Sequence, residues 1–188
     1  MLPSSLYSKL WSSYSYLVDA LVLPAMVYQK PQPTTDKVVA IYNQRGIVME
    51  FEDVKSHFEN NHRGVITTFQ RDGAGHSSIV VCGAYQGNAA FVIVRSNSAK
   101  TRNLRRDPRC TVMSVSDNWR TCAVVEGMAT LMDYQNTDAE MMRVELREVF
   151  RACGDKDHPD WEEYDDAMVK QDAVIVLVSP DRVYGKLS

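Results

Sequence analysis

The chain reads as a mainly β protein with flanking helices, its strands forming an antiparallel sheet or small barrel. Three observations predict this class. Short apolar runs rich in β-branched residues recur at close spacing from Gly64 to Met132. Tight turns join several of them: Arg71-Asp72-Gly73-Ala74-Gly75, Gly87-Asn88 and Ser116-Asp117-Asn118. The longer helical patterns sit outside this run instead of alternating with its strands, so the parallel βαβ units of a Rossmann or P-loop protein are not formed.

Taken in order, residues 1–48 differ from the rest and read as an N-terminal extension, disordered or outside the functional protein. A targeting peptide and an upstream extension before an initiating Met49 both stay open. The apolar part, Tyr16 to Tyr28, carries Asp19 and Pro24 and is too short to cross a membrane. From Glu50 to Asn60, Phe51, Val54 and Phe58 fall at i, i+3 and i+7, which predicts a short amphipathic helix. Strands are then predicted over Gly64–Gln70, His76–Gly83, Ala89–Val94, Arg109–Val115 and Thr121–Met132, with a bulge or bend at Gly127. Asn136-Thr137-Asp138 caps a helix with an apolar face of Met141, Met142, Val144, Leu146, Val149 and Phe150. Asp155 to Pro159 breaks it, and Pro159 or Asp160 starts a second, acidic helix, Trp161 to Gln171. Its Glu162-Glu163 and Asp165-Asp166 pairs read as a solvated face. Ala173 to Val178 is uniformly apolar, as a strand buried on both faces would be, and Pro180 with the residues beyond it closes the chain.

Composition narrows the function classes. The chain has 188 residues, enough for one domain with a real core, and a net charge of −3. It is not a polyelectrolyte binder, and no nucleic-acid partner is expected. Cys82, Cys110, Cys122 and Cys153 form no CxxC pair and read as free thiols of a cytoplasmic protein. The histidines, among them His57 and His62, show no metal-ligand spacing, so no metal is expected.

Against the mild overall charge, Arg95 to Arg109 holds six Lys or Arg among fifteen residues. An apolar strand delivers it, Ser96-Asn97-Ser98 offers a turn or helix cap, and Lys100 to Arg106 is a short polar helix with Leu104 as its only apolar anchor. Pro108 ends it. A strand, a serine turn and a helix N-terminus flanked by Arg95 and Lys100 make an anion site.

The ordered set RGVITTF, SSIVV, VRSNSAKTRNLRRDPRCTV, VVEG, HPDWEEY and RVYG resembles the pyridoxamine-5′-phosphate-oxidase-like split-barrel family, and within it the coenzyme-F420-dependent branch. The resemblance spans Met49 to Gly185, and its most specific piece is Ser98-x-Lys100-x-x-Asn103-Leu104 followed by Asp107-Pro108-Arg109. It implies a six-stranded antiparallel split β-barrel with peripheral helices, and a homodimer with coenzyme F420 or FMN at its interface. By the same resemblance Arg95, Ser96, Ser98 and Lys100 hold the cofactor phosphate with Asn103 nearby, and Ser77, Ser78, Ile79 and Val80 line the ring. Trp119 and Arg120 reach the cofactor from the other subunit. The implied activity is hydride transfer to or from a small organic molecule, the alternative being a non-catalytic carrier of flavin, F420 or haem. One departure is plain. The chain ends DRVYGKLS, without the arginine- and tryptophan-containing segment with which the oxidase holds pyridoxal phosphate, so oxidation of pyridoxine phosphate is not expected.

Overall fold

The computed structural model describes residues 49–187, and the readings made for residues 1–48 fall outside them. Six strands close into an antiparallel barrel in the order β1-β2-β3-β6-β5-β4, which confirms the predicted class. They are β1 (Arg63–Phe69), β2 (Gly75–Tyr85), β3 (Asn88–Ile93), β4 (Arg109–Val115), β5 (Cys122–Met132) and β6 (Val174–Lys186). Four helices among the described residues accompany them: α1 (Phe51–Asn60), α2 (Ala99–Arg106), α3 (Ala139–Ala152) and α4 (Trp161–Lys170). No helix among the described residues is long and apolar enough to cross a membrane.

Strand alternation fills the barrel. Ile66, Val80, Cys82, Phe91, Ile93 and Val112 point inward, and α1 adds Phe51, Val54 and Phe58 to the same core. A second core lies outside the barrel, where Met142, Leu146 and Val149 of α3 and Met168 of α4 cover Ala90 and Ile175. That double coverage explains the uniformly apolar start of β6: Val174, Val176 and Val178 face the barrel and Ile175 faces the helices. Gly83 permits the close approach, since a Cβ there would sit 1.9 Å from the carbonyl oxygen of Ala152 in α3. Burial pushes the Cys82, Cys110 and Cys153 thiols up to about 12, which keeps them protonated.

Two expectations change. The last strand does not stop before Pro180; β6 runs on to Lys186 and pairs with β5 from Cys122 to Met132. A register shift between Glu126 and Gly127 lets the pairing pass Pro180, which has no N–H to give. A Cβ on Gly127 would lie 1.8 Å from the Ser179 oxygen, so the bulge needs glycine there. The acidic face of α4 is not wholly solvated either. Asp165 pairs with Arg147 of α3 at 2.5 Å, and both side chains are largely covered. The capping expectation for α3 holds at Asp138, and Asp160, one of the two expected starts, caps α4 in the same way; each accepts two backbone N–H groups.

Candidate functional site

The site is built where β3 hands the chain to α2. Ile93 is the last buried residue of the strand, and the backbone then turns sharply through Arg95, whose φ of +89° is unusual for a residue with a side chain. Three contacts from other parts of the chain hold it there. The Arg95 N–H donates to the Gln171 carbonyl at 2.9 Å, just past the end of α4. The Ser96 hydroxyl donates to the Asp172 carboxylate. On the other side Arg105 donates to the Ser96 carbonyl at 3.4 Å while pairing at 2.7 Å with Asp133, whose side chain is only 6% exposed. The loop is therefore clamped from the α4–β6 corner and from the end of β5. Backbone strain of this kind persists only where surrounding contacts over-determine it.

Ser98 caps α2 as its position in the sequence predicts. Its Oγ accepts the Thr101 N–H at 3.3 Å and lies 2.8 Å from the Thr101 hydroxyl. Leu104 enters the barrel core, and Thr101 and Asn103 are buried with it. Asn103 donates to the Thr68 hydroxyl of β1 at 3.1 Å, a polar pin that the apolar pattern does not disclose. The side chains of Arg95 and Lys100 have no hydrogen-bond or ion-pair partner among the described residues. Two uncommitted cations thus flank a helix N-terminus on a clamped loop, an arrangement suited to an oxyanion.

The Ser77–Val80 run divides between two faces. Ser77 and Ile79 face outward, with Ile79 86% exposed, and Val81 and Val94 add exposed apolar surface. Ser78 and Val80 turn inward, and Val80 belongs to the barrel core. Trp119 and Arg120 lie on the β4–β5 turn, where Trp119 has φ +61° and is 79% exposed. The length of β4, seven residues or roughly 20 Å, separates that turn from α2 within one chain.

Sequence reasoning missed Gln171, Asp172 and Asp133, which hold the loop. Asp172 carried a faint signal, an acidic residue in the short break between a helix and a buried strand. Asp133 carried none, because its partner lies 28 residues away. His62 is not metal-like: its ring nitrogens meet the Cys82 carbonyl at 2.9 Å and Asp155 at 2.7 Å.

The sequence model of the pyridoxamine 5′-phosphate oxidase family matches residues 51–186. The chain belongs to that family. Its fold is similar to those of several solved structures. One is the conserved hypothetical protein Rv2991 of Mycobacterium tuberculosis, 20% identical with a TM-score of 0.60, over 74% of this chain and 86% of that one. Another is HutZ, the haem storage protein of Vibrio cholerae, 16% identical with a TM-score of 0.53, over 73% and 96%. General Stress Protein 26 of Bacillus anthracis is 14% identical with a TM-score of 0.51, over 72% and 92%. At these identities the likeness is one of fold.

Proposed function

We propose that the chain is an oxidoreductase that binds coenzyme F420, or alternatively FMN, and transfers a hydride to or from a small organic molecule. The observation that carries this reading is the clamped loop. Arg95 and Lys100 have no partner among the described residues, stand at the start of α2, and follow the outward apolar side chain of Val94, just past β3. Arg95, Lys100 and the N–H groups at the start of α2 would hold the phosphate, with Ser98 fixing the helix start. Ile79, Val81 and Val94 would give the ring an apolar bed. The bound cofactor supplies the hydride chemistry; the protein supplies anchoring, orientation and exclusion of water. Two unspent cations favour F420, which is more acidic than a single phosphate. The exposed Ile79 and Val81 also support a homodimer in which that strip is covered and Trp119 and Arg120 of the partner subunit complete the site.

Purified protein titrated with each cofactor, followed by its own absorbance and fluorescence, is the direct test. Saturable binding that Lys100→Ala weakens is the expected result; equal binding by the variant would remove the anchor. A second reading, a non-catalytic carrier of flavin, F420 or haem, is favoured by the chemistry of the segments at the site. Residues 77–80 and 95–100 contain hydroxyls, an amide and cations but no carboxyl, imidazole or thiol for proton transfer. Reduced cofactor whose oxidation is not accelerated by any of a panel of acceptors would select that reading.

A further inference from the structure

The loop between α3 and α4 is tied to the barrel by a histidine from the start of the fold. His62 lies between α1 and β1. Its carbonyl accepts the Cys82 N–H of β2 at 2.9 Å, which fixes the backbone that carries the ring. The ring Nδ1 then lies 2.9 Å from the Cys82 carbonyl, and Nε2 lies 2.7 Å from the Asp155 carboxylate, 93 residues away. The other polar contacts of the loop stay on the helical side. The Gly154 and Asp155 N–H groups donate to the Arg151 carbonyl, Asp157 pairs with Arg151, and the His158 Nδ1 lies against Asp160.

Both groups that face the His62 ring are acceptors. A neutral imidazole has one N–H to give, so either tautomer leaves a nitrogen lone pair against an oxygen. The imidazolium donates to both, and its bond to Asp155 is charge-assisted. The surrounding elements supply no other acceptor of charge. The Cys82 and Cys153 thiols, pushed up to about 12, stay protonated, and burial pushes the Tyr164 phenol well above its ordinary range. Arg63, next in the chain, pairs with Asp117 at 3.1 Å. Lys156, beside Asp155 in sequence, has no partner among the described residues. His57 of α1 responds to acid in the opposite sense: its Nε2 is out of water without a partner, and burial lowers its pKa.

The tie stands at a cavity of about 510 Å³, where His62, Gly154 and Lys156 share the wall with Val81, Cys153 and Tyr164. We propose that His62 and Asp155 form a proton-operated latch that holds the α3–α4 loop over this cavity. Proton uptake by His62 adds a hydrogen bond. The loop is therefore held most firmly at low pH and released as pH rises through the range in which an imidazole gives up its proton. Val81 also belongs to the apolar strip assigned above to the cofactor ring, but the latch rests on the two ring contacts of His62 and not on that reading.

The test is amide hydrogen exchange of the full chain without cofactor, between about pH 6 and pH 8 and corrected for the intrinsic exchange rate. Protection of Gly154 to His158, relative to β6, should fall about fivefold from the lower pH to the higher, the usual worth of one hydrogen bond. Asp155→Asn can turn either its oxygen or its N–H to the ring, so it should keep the loop protected at both ends and abolish the pH dependence. His62→Asn keeps a donor for the Cys82 carbonyl without reaching Asp155, and its loop should exchange fast at every pH. Asp155 is exposed, so its variant decides the question even where His62→Asn lowers stability. Alkylation reads the cavity. Cys153 should gain on Cys110 of β4 as pH rises in wild type and not in Asp155→Asn; both thiols are raised to about 12, so their ratio removes the common effect of pH. Loop protection that ignores pH in wild type overturns the latch. A pH response that survives in Asp155→Asn also overturns it and passes the effect to another group, His57 first. An unchanging Cys153 to Cys110 ratio overturns the closure of the cavity.

Discussion

The two halves of the Arg95–Arg109 stretch are equally basic in sequence and opposite in use. At the N-terminal half, Arg95 and Lys100 have no partner among the described residues, and the backbone that carries them is held by groups other than their own charges. At the C-terminal half, Arg105 pairs with a buried carboxylate. Arg106 is tied to the Phe69 carbonyl, and Arg109 grips Asp107 and covers the Phe69 ring at 4.7 Å. The difference teaches that a basic run is a mixture of structural and available charge. Only long-range contacts sort one from the other.

The sharpest break in this comparison is Arg105→Ala. It strands the largely buried Asp133 carboxylate, although the Gln135 N–H still partly satisfies it. A loss of about 2–4 kcal/mol is expected in denaturant unfolding, with cofactor affinity of the folded fraction little changed. A loss below about 0.5 kcal/mol would place Arg105 with the available charges. Lys100→Ala should behave in the opposite way. Stability should stay within about 0.5 kcal/mol of wild type, and cofactor affinity should fall by about 1.5–3 kcal/mol in a fluorescence titration. A drop in stability with unchanged affinity would reverse the assignment.

Asp172→Ala tests whether the clamp serves the loop. It frees the Ser96 hydroxyl without touching either available cation. Affinity should fall by about 1 kcal/mol, the usual worth of such a hydrogen bond, and Asp172→Asn should recover part of it. The smallest effect belongs to Asp107. Its hydrogen bond to Arg109 holds its carboxyl below the ordinary carboxylate range. A depressed folded-state value means that the pair's contribution is complete above the unfolded value, about 4, and is lost as pH falls through the folded one. The side chain is only partly covered and its partner Arg109 is exposed, so only a slight decline in melting temperature is expected below pH 4. Asp107→Asn should abolish that decline's dependence on this group.

Much of the fold was legible because it rests on local chemistry. Alternating apolar residues marked the strands, Ser98, Asp138 and Asp160 marked helix starts, and Gly127 marked the bulge. The extension of β6 past Pro180 was not legible, since a proline reads as a stop until a register shift beside it, with Asp181 left unpaired, accommodates it. At the site, the serine turn and its cations could be read directly. The clamp could not, because Asp133 and Asp172 act across 28 and 76 residues and no short window contains both partners.

By itself, then, the sequence determined the strands, the caps and the charge placed at the start of α2, because propensity, capping and side-chain alternation act over a few residues. The tertiary structure alone decided how the strands close, which side chains of Ser77–Val80 face outward, and which arginines are spent. Those are matters of pairing and burial, and the free energy of a charge depends on the partner that folding brings to it.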